Sequence, residues 1–351
     1  TLLSVSCQNN NKSFPIDNIE NGVIYEVNIR QYSKTGNFDD FTKDIHKLKD
    51  LGVKINIDNI SILEQFGNTF GYNYPVCIRV NPHIMAGGNF KISTGHVDSK
   101  FGISIHQMRH IERVVKTTNL NVEGIHMHTG SEIKDVNVFL EGLEVMFTIA
   151  SHFPNLKYID LGSGFKVPYQ PTDSETDLTS LGEKVAEAFS AFENETGKKI
   201  QVWFEPGKYL VSQAGYFVVK ANVIKQTPAT VFAGVNSGFN HLIRPMMYDS
   251  YHHITNISNP NGRDRYYSVV GYICETDTFA NNRRIAEINE GDILCFKNAG
   301  AYCFSMSSNY NSRYKPAEVL WMNGEGHLMR AKESFEDLLR NQIPLPVAAT
   351  V

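Results

Sequence analysis

The chain has 351 residues, 42% of them apolar, and a formal net charge of -4 from 33 basic and 37 acidic side chains, which suits a globular protein of two domains with a sizeable core. Because the charges are interspersed, no basic face presents itself to nucleic acid or a membrane surface. No apolar run approaches the roughly twenty residues that a transmembrane helix needs. The five cysteines (Cys7, Cys77, Cys274, Cys295, Cys303) contain no C-x-x-C pair, which argues against a zinc site or a disulfide framework and fits reduced thiols in a cytoplasm.

Residues 1–13, TLLSVSCQNNNKS, read either as a disordered tail or as the end of a lipoprotein signal, in which Cys7 follows a short apolar run and precedes a polar tether. From residue 22 to about 208, short apolar runs alternate with amphipathic stretches, the pattern of parallel βα units. Strands are expected at Val23–Ile29, Lys54–Ile57, Val76–Val80, Val122–His128, Tyr158–Leu161 and Val202–Glu205. Helices are expected at Asp39–Leu51, Ser104–Lys116, Val136–His152 and Leu178–Glu195. Their apolar residues recur at i, i+3, i+4 spacing, as in Val138, Gly142, Val145 and Ile149, which is core packing. After Gly207 the texture changes to β-rich runs (Tyr216–Val223, Tyr266–Tyr272, Ile293–Phe296) separated by turn sequences. The domains are set at 14–211 and 212–351, the second mainly β with a C-terminal helical segment. Six strands against the eight of a closed barrel define the expected fold class: α/β plus β, a (βα)8-type barrel short of about two βα units.

Function in such a barrel sits at the C-terminal strand ends. G-I-H-M-H-T-G-S (124–131) places His126 and His128 on one face of a strand, where they serve equally well as satisfied core histidines. D-L-G-S-G-F (160–165) brings two glycines to a strand end, so that backbone N–H groups can approach an anion; it is also a common tight turn. W-F-E-P-G-K puts Glu205 at the mouth, suited either to a cationic ring nitrogen or to a surface ion pair. C-E-T-D-T-F (274–279) and N-A-G-A-Y-C-F (298–304) add thiols, carboxylates and a phenol in turn-like settings.

Taken together and in this order, these strings resemble the fold-type III pyridoxal-phosphate decarboxylases, most closely the diaminopimelate decarboxylase family, over about Lys54 to Leu339. I-N-I-D-N, C-I-R-V-N-P, S-T-G-H-V-D-S-K-F-G-I, L-I-R-P-M-M-Y-D-S-Y-H and M-S-S-N-Y-N-S-R-Y-K-P-A-E-V-L carry the same resemblance, which is far more specific than any single motif. It implies pyridoxal 5'-phosphate as cofactor and conversion of meso-2,6-diaminopimelate to L-lysine. It also implies a homodimer with shared sites. His128 would stack on the ring, Ser131, Gly162, Ser163, Gly164 and Tyr302 would hold the phosphate, and Glu205 would keep the ring nitrogen protonated. Arg244, Tyr248 and Glu275 would recognise the substrate's distal end. Cys274 would supply the proton that replaces carbon dioxide, and it reaches the site with Glu275 from the partner subunit. Lys208 stands where many relatives carry arginine, with the loss of a bidentate fork.

The family's Tyr-Ala-x-Lys-Ala string, whose lysine forms the Schiff base, does not occur in the sequence. Residues 22–53 instead resemble the first βα unit of an α-amylase-family glycosidase, so a composite chain joined near Leu51–Lys54 is expected. Lys34, which follows the first strand, is the candidate substitute amine; Lys54 begins a strand and lies at the wrong end. Three alternatives compete with the decarboxylase: a catalytically silent cofactor-binding or dimer-forming relative, a glycoside hydrolase suggested by the opening segment alone, and an amino-acid racemase on the same fold.

Overall fold

A computed structural model describes residues 2–6, 22–26, 54–87 and 93–343, with the backbone alone at 2–6 and 22–26. The chain forms two units: Thr1–Val167 with Ser174–Gly207, and Pro168–Asp173 with Lys208–Val351. This division falls a few residues before the boundary read from sequence, and it assigns a short loop of the first half to the second unit.

In the first unit, the strands β1 (Leu2–Ser6), β2 (Gly22–Glu26), β3 (Lys54–Ile57), β4 (Val76–Asn81), β5 (Ile103–Ser104), β6 (Val122–His126), β7 (Tyr158–Asp160) and β8 (Gln201–Trp203) share one sheet in the order β2-β1-β3-β4-β6-β7-β8, with β5 on β4. The run β3-β4-β6-β7-β8 is parallel throughout. Its inner strands are buried on both faces: β6 is buried along its whole length, as is β7, as expected where helices cover a parallel sheet. Among the described residues β2 and β8 end the order, so the barrel-type sheet stops short of a full ring.

Two expectations change here. The strand expected at Val23–Ile29 is observed at Gly22–Glu26, but it runs antiparallel to β1 and is not the first parallel strand. The stretch expected to be a tail contains β1, which pairs Leu3 with Ile55 of β3 in antiparallel register. The physical reason is the free edge of β3: unpaired backbone donors and acceptors recruit whatever extended segment is at hand, and Leu2–Ser6 has the composition to supply one. The segments expected as helix Asp39–Leu51, the candidate amine Lys34, Cys7 and the proposed join lie outside the described residues.

Among the described residues four helices accompany the parallel strands: α1 (Ile60–Phe70), α2 (Met108–Thr118), α3 (Asn137–Ala150) and α4 (Leu178–Thr196). Asn59 caps α1 by accepting from the Ser61 and Ile62 N–H groups, and Asp177 caps α4 through the Ser180 N–H; each satisfies donors that a helix start leaves open. Inward they bury Leu63 and Phe66, Ile111 and Val114, Phe139, Leu143 and Met146, and Leu181 and Val185 against Ile55, Ile57, Ile78, Ile125 and Ile159 of the sheet. Helix α1 was not read from sequence, because Gly67, Asn68 and Thr69 are poor helix formers. Its apolar residues bury it nonetheless.

The second unit is built on a six-stranded sheet. Its strands are β9 (Phe217–Gln226), β10 (Val231–Val235), β11 (Ile254–Asn256), β12 (Asp264–Val270), β13 (Thr278–Ala286) and β14 (Ile293–Phe296), in the order β11-β14-β9-β10-β12-β13. Only β10 and β12 pair in parallel. Alternation along β9 buries Phe217, Val219 and Ala221 with Leu242, Tyr267, Val269, Phe279, Leu294 and Phe296 in a single core. The short helices α5 (Lys208–Val211) and α6 (Arg244–Tyr248) flank it, and the hairpin of β15 (Glu318–Met322) and β16 (Glu325–Arg330) precedes α7 (Phe335–Leu339).

Candidate cofactor and substrate site

At the C-terminal ends of β6, β7 and β8 three segments meet. The strand expected to run to His128 stops at His126, and the chain then leaves the sheet, so the two histidines do different work. His126 is fully buried. Its Nδ1 lies 2.7 Å from Asn56 Nδ2 on β3, which makes Nδ1 the acceptor and puts the proton on Nε2. That Nε2 faces Glu205 Oε2 at 3.4 Å. The opposite assignment would aim an imidazole lone pair at a carboxylate.

His128, partly exposed, meets the glycine turn: its Nδ1 accepts from the Ser163 N–H at 3.3 Å. Burial, with the nearby Arg79 cation, pushes the imidazole down to about 4, so it is a neutral ring at physiological pH. The turn itself is held by the Asp160 carboxyl, which accepts the Gly162 N–H at 2.9 Å, and Gly162 in turn accepts the Glu205 N–H at 2.8 Å. Both glycines have positive φ, 62° at Gly162 and 102° at Gly164. A Cβ at Gly162 would stand 2.7 Å from His128 Nδ1, and one at Gly164 would stand 2.0 Å from the Gly130 carbonyl oxygen. No other residue lets these backbones close on one another.

Three further groups complete this rim that sequence reasoning passed over: Asn56, Asp160 and Arg79. Asp160 had the clearest signal, as the last residue of a strand immediately before a glycine turn. Burial, together with the charge of Glu205, drives its carboxyl well above the usual carboxylate range. Burial acts the same way on Glu205, but its contacts with His126 and then Asp160 outweigh it and hold Glu205 below its ordinary value. Of the two contacting carboxyl groups, Asp160 therefore keeps the proton and Glu205 the charge.

This rim fits pyridoxal phosphate on its own features. A carboxylate held ionised by neutral donors suits a protonated pyridine nitrogen, and a flat neutral imidazole beside it suits a ring face. The phosphate cradle is narrower than the sequence implied. The Gly162 and Ser163 N–H groups already serve Asp160 and His128, which leaves the Gly164 end of the turn and the hydroxyl of Ser131, a partly exposed residue just after Gly130.

The remaining expected residues belong to the second unit, where they form two groups. In the first, Arg244 opens α6 and is 6% exposed. Its guanidinium lies 5.1 Å from the Tyr169 ring and 5.8 Å from the Tyr302 ring, and Nη2 donates to Ser250 Oγ at 3.4 Å. Its Nε is buried without a hydrogen-bond partner among the described residues. Lys208 Nζ lies 5.6 Å from the same Tyr169 ring. Tyr248 closes α6, and Tyr302 has a left-handed backbone (φ 58°) with its side chain 48% exposed. In the second group, Cys274 Sγ donates to Glu275 Oε2 at 3.1 Å, and the Tyr310 hydroxyl donates to Glu275 Oε1. These bonds, Tyr310 first, hold the Glu275 carboxyl below its ordinary value. Both Cys274 and Glu275 are exposed.

Comparison with known proteins gives the same reading. Residues 39–212 match the sequence model of the pyridoxal-dependent decarboxylases, pyridoxal binding domain; the match begins inside the segment likened above to a glycosidase. Diaminopimelate decarboxylase of Methanothermobacter thermautotrophicus is 38% identical over 301 residues, 84% of this chain and 70% of that protein. The chain belongs to the diaminopimelate decarboxylase family. Its fold agrees: a crystal structure of a diaminopimelate decarboxylase superposes with a TM-score of 0.77 at 31% identity over 85% of this chain and 74% of that one. The Helicobacter pylori diaminopimelate decarboxylase complexed with L-lysine gives 0.75 at 27% identity over the same shares. The family is one of pyridoxal-phosphate-dependent carboxy-lyases, with a barrel-type domain and a mainly β domain. Among the described residues no helix is long and apolar enough to cross a membrane.

Proposed function

We propose that the chain binds pyridoxal 5'-phosphate at the β6–β8 rim and serves the decarboxylation of meso-2,6-diaminopimelate to L-lysine. The observation that carries this is Glu205, an ionised carboxylate backed by His126 and Asp160 at the same rim as the Gly162–Gly164 turn and His128. When bound, the cofactor supplies a protonated pyridine ring that accepts the electron pair left behind by carbon dioxide. Glu205 would hold the ring N–H, and its charge makes loss of that proton costly. His128 would pack on the ring face as a neutral group, so it adds no repulsive cation. The Gly164 N–H and Ser131 would orient the phosphate, with Tyr302 as a further phosphate ligand.

Arg244, with Tyr248, would bind the distal carboxylate of the substrate, a role suited to a buried planar fork that lies near two phenol rings. Glu275 would take the distal ammonium group, and Cys274 Sγ would deliver a proton to the carbon that has lost its carboxylate. The exposure of Cys274 and Glu275 on the second unit suits residues that complete the site of a second copy, and a cytoplasmic homodimer is part of the proposal.

A second reading, a cofactor-binding protein without turnover, is favoured by one observation: the lysine-bearing string is missing from the 351 residues. An assay of lysine and carbon dioxide release from meso-diaminopimelate with added pyridoxal phosphate separates the two. Turnover supports the first and bound cofactor without turnover supports the second. Failure to bind the cofactor at all sinks both. Sedimentation at micromolar concentration tests the homodimer, and a monomer there would remove it.

A further inference from the structure

The glycine turn and Glu205 are joined through one side chain. Asp160 closes β7 at 6% exposure. One oxygen of its carboxyl group accepts the Gly162 N–H at 2.9 Å, and the group faces the Glu205 carboxyl, with side-chain atoms of Asp160, Glu205 and His126 all within 4.8 Å of one another. Two contacting carboxyl groups cannot both ionise, so a proton must lie between them. Glu205 already faces His126 Nε2 at 3.4 Å, and is the more exposed of the two. The proton therefore sits on Asp160.

The geometry points to Asp160 as a positioning residue: as a neutral acid it donates to Glu205 while accepting from Gly162, and so fixes the spacing between the phosphate turn and the carboxylate that faces the ring nitrogen. This rests on the reading of Glu205 given above. A neutral donor is what this place requires. An ionised Asp160 would repel Glu205, and an apolar residue would release both the turn and the carboxylate. The other titratable groups facing the pair are Cys77 and Arg79 on β4, His126 and His128 on or just after β6, and Asp58 after β3. Cys77 is buried and its thiol is pushed up by burial, so it stays neutral. Arg79 is a fixed cation. Burial holds both imidazoles below their ordinary value, so each stays a neutral ring beside the pair at neutral pH.

Two substitutions separate the roles. Asp160→Asn keeps both hydrogen bonds, since its amide NH2 donates to Glu205 and its carbonyl accepts from Gly162. Asp160→Ser keeps a short acceptor for the Gly162 N–H but does not reach Glu205. Pyridoxal phosphate is titrated into the 351-residue chain by equilibrium dialysis across pH, with circular dichroism as the check on folding. The asparagine variant is expected to bind within about threefold of the parent with an unchanged acid midpoint. The serine variant is expected to bind about tenfold more weakly, with the acid midpoint about one unit higher, because Glu205 loses a donor that favours its charged form. A folding role alone would lower affinity at every pH and leave the midpoint in place.

Loss of binding or of folding in Asp160→Asn overturns the inference, and so does a serine variant that behaves as the parent. Glu205→Ala is the control: if it binds the cofactor with parental affinity and pH dependence, the cofactor site itself is wrong. If it binds weakly while Asp160→Ser is unchanged, only the role of Asp160 falls.

Discussion

Gly164→Ala offers a test in which stability and cofactor binding change together. The residue has φ 102°, a region in which a Cβ strains the backbone by about 1–3 kcal/mol. The added carbon would stand 2.0 Å from the Gly130 carbonyl oxygen, 3.0 Å from its carbon and 3.1 Å from Ile133 Cδ1. Ordinary contact begins at 3.4 Å, so the peptide between His128 and Ser131 must retreat by roughly 1.4 Å or the turn must open by as much. Ile133 resists, because its N–H donates to the Gly164 carbonyl at 2.9 Å. Strain and displacement together predict a loss of about 2–4 kcal/mol in unfolding free energy. Because a shift of about 1 Å at a binding constellation costs on the order of a hundredfold, pyridoxal phosphate affinity should fall by one to two orders of magnitude.

Urea denaturation measures the first quantity and a spectrophotometric titration the second. Gly182→Ala on α4 is the matched control. Nothing lies within 4 Å of the added carbon, so the same chemical change should stabilise the helix by up to about 1 kcal/mol and leave binding untouched. A Gly164→Ala protein as stable as the parent, binding cofactor equally well, would refute the packing argument for the turn.

Glu205→Gln retains the shape but loses the charge, and should reduce turnover, or cofactor affinity if turnover is absent, by at least about tenfold; steady-state kinetics and dialysis report each. Stability should fall as pH drops from about 6.5 to 4. His252 has its imidazole pushed down to about 4 by burial and by Arg244 and Arg283, against gains from its bond to the Lys297 carbonyl, and His128 likewise reaches about 4. A histidine whose folded pKa is depressed takes up protons on unfolding. Its contribution is therefore present above about 6.5 and lost as pH falls toward 4. Urea midpoints at pH 7 and 4.5 test this, and His252→Gln should flatten the slope; an unchanged slope in that variant would remove His252 as a source. Arg244→Lys removes the guanidinium fork that lies 5.1 Å and 5.8 Å from the Tyr169 and Tyr302 ring centroids, and should raise the KM for diaminopimelate at least about tenfold with little change in kcat. An unaltered KM would place substrate recognition elsewhere.

The parallel strands and the longer helices were legible in the sequence because burial on both faces leaves continuous apolar runs and helical burial leaves a 3.6-residue period. Lys54–Ile57 and Ile293–Phe296 were read with the bounds they have in the structure, and the glycine turn and Glu205 were placed at strand ends by the same logic. Sequence also gave the family, since ordered strings spread over most of the chain leave few alternatives. What it left undecided were matters of pairing and proximity. That Leu2–Ser6 completes the edge of β3 depends on which backbone groups remain unpaired there, a property of the assembled sheet. That His126 points at Glu205 while His128 meets the turn follows from where β6 stops. That Asp160 holds a proton follows from a second carboxyl group forty-five residues away, brought into contact only when β7 and β8 lie side by side. Residue types and their periods are written locally, whereas the charge state of a buried acid depends on neighbours that folding alone supplies.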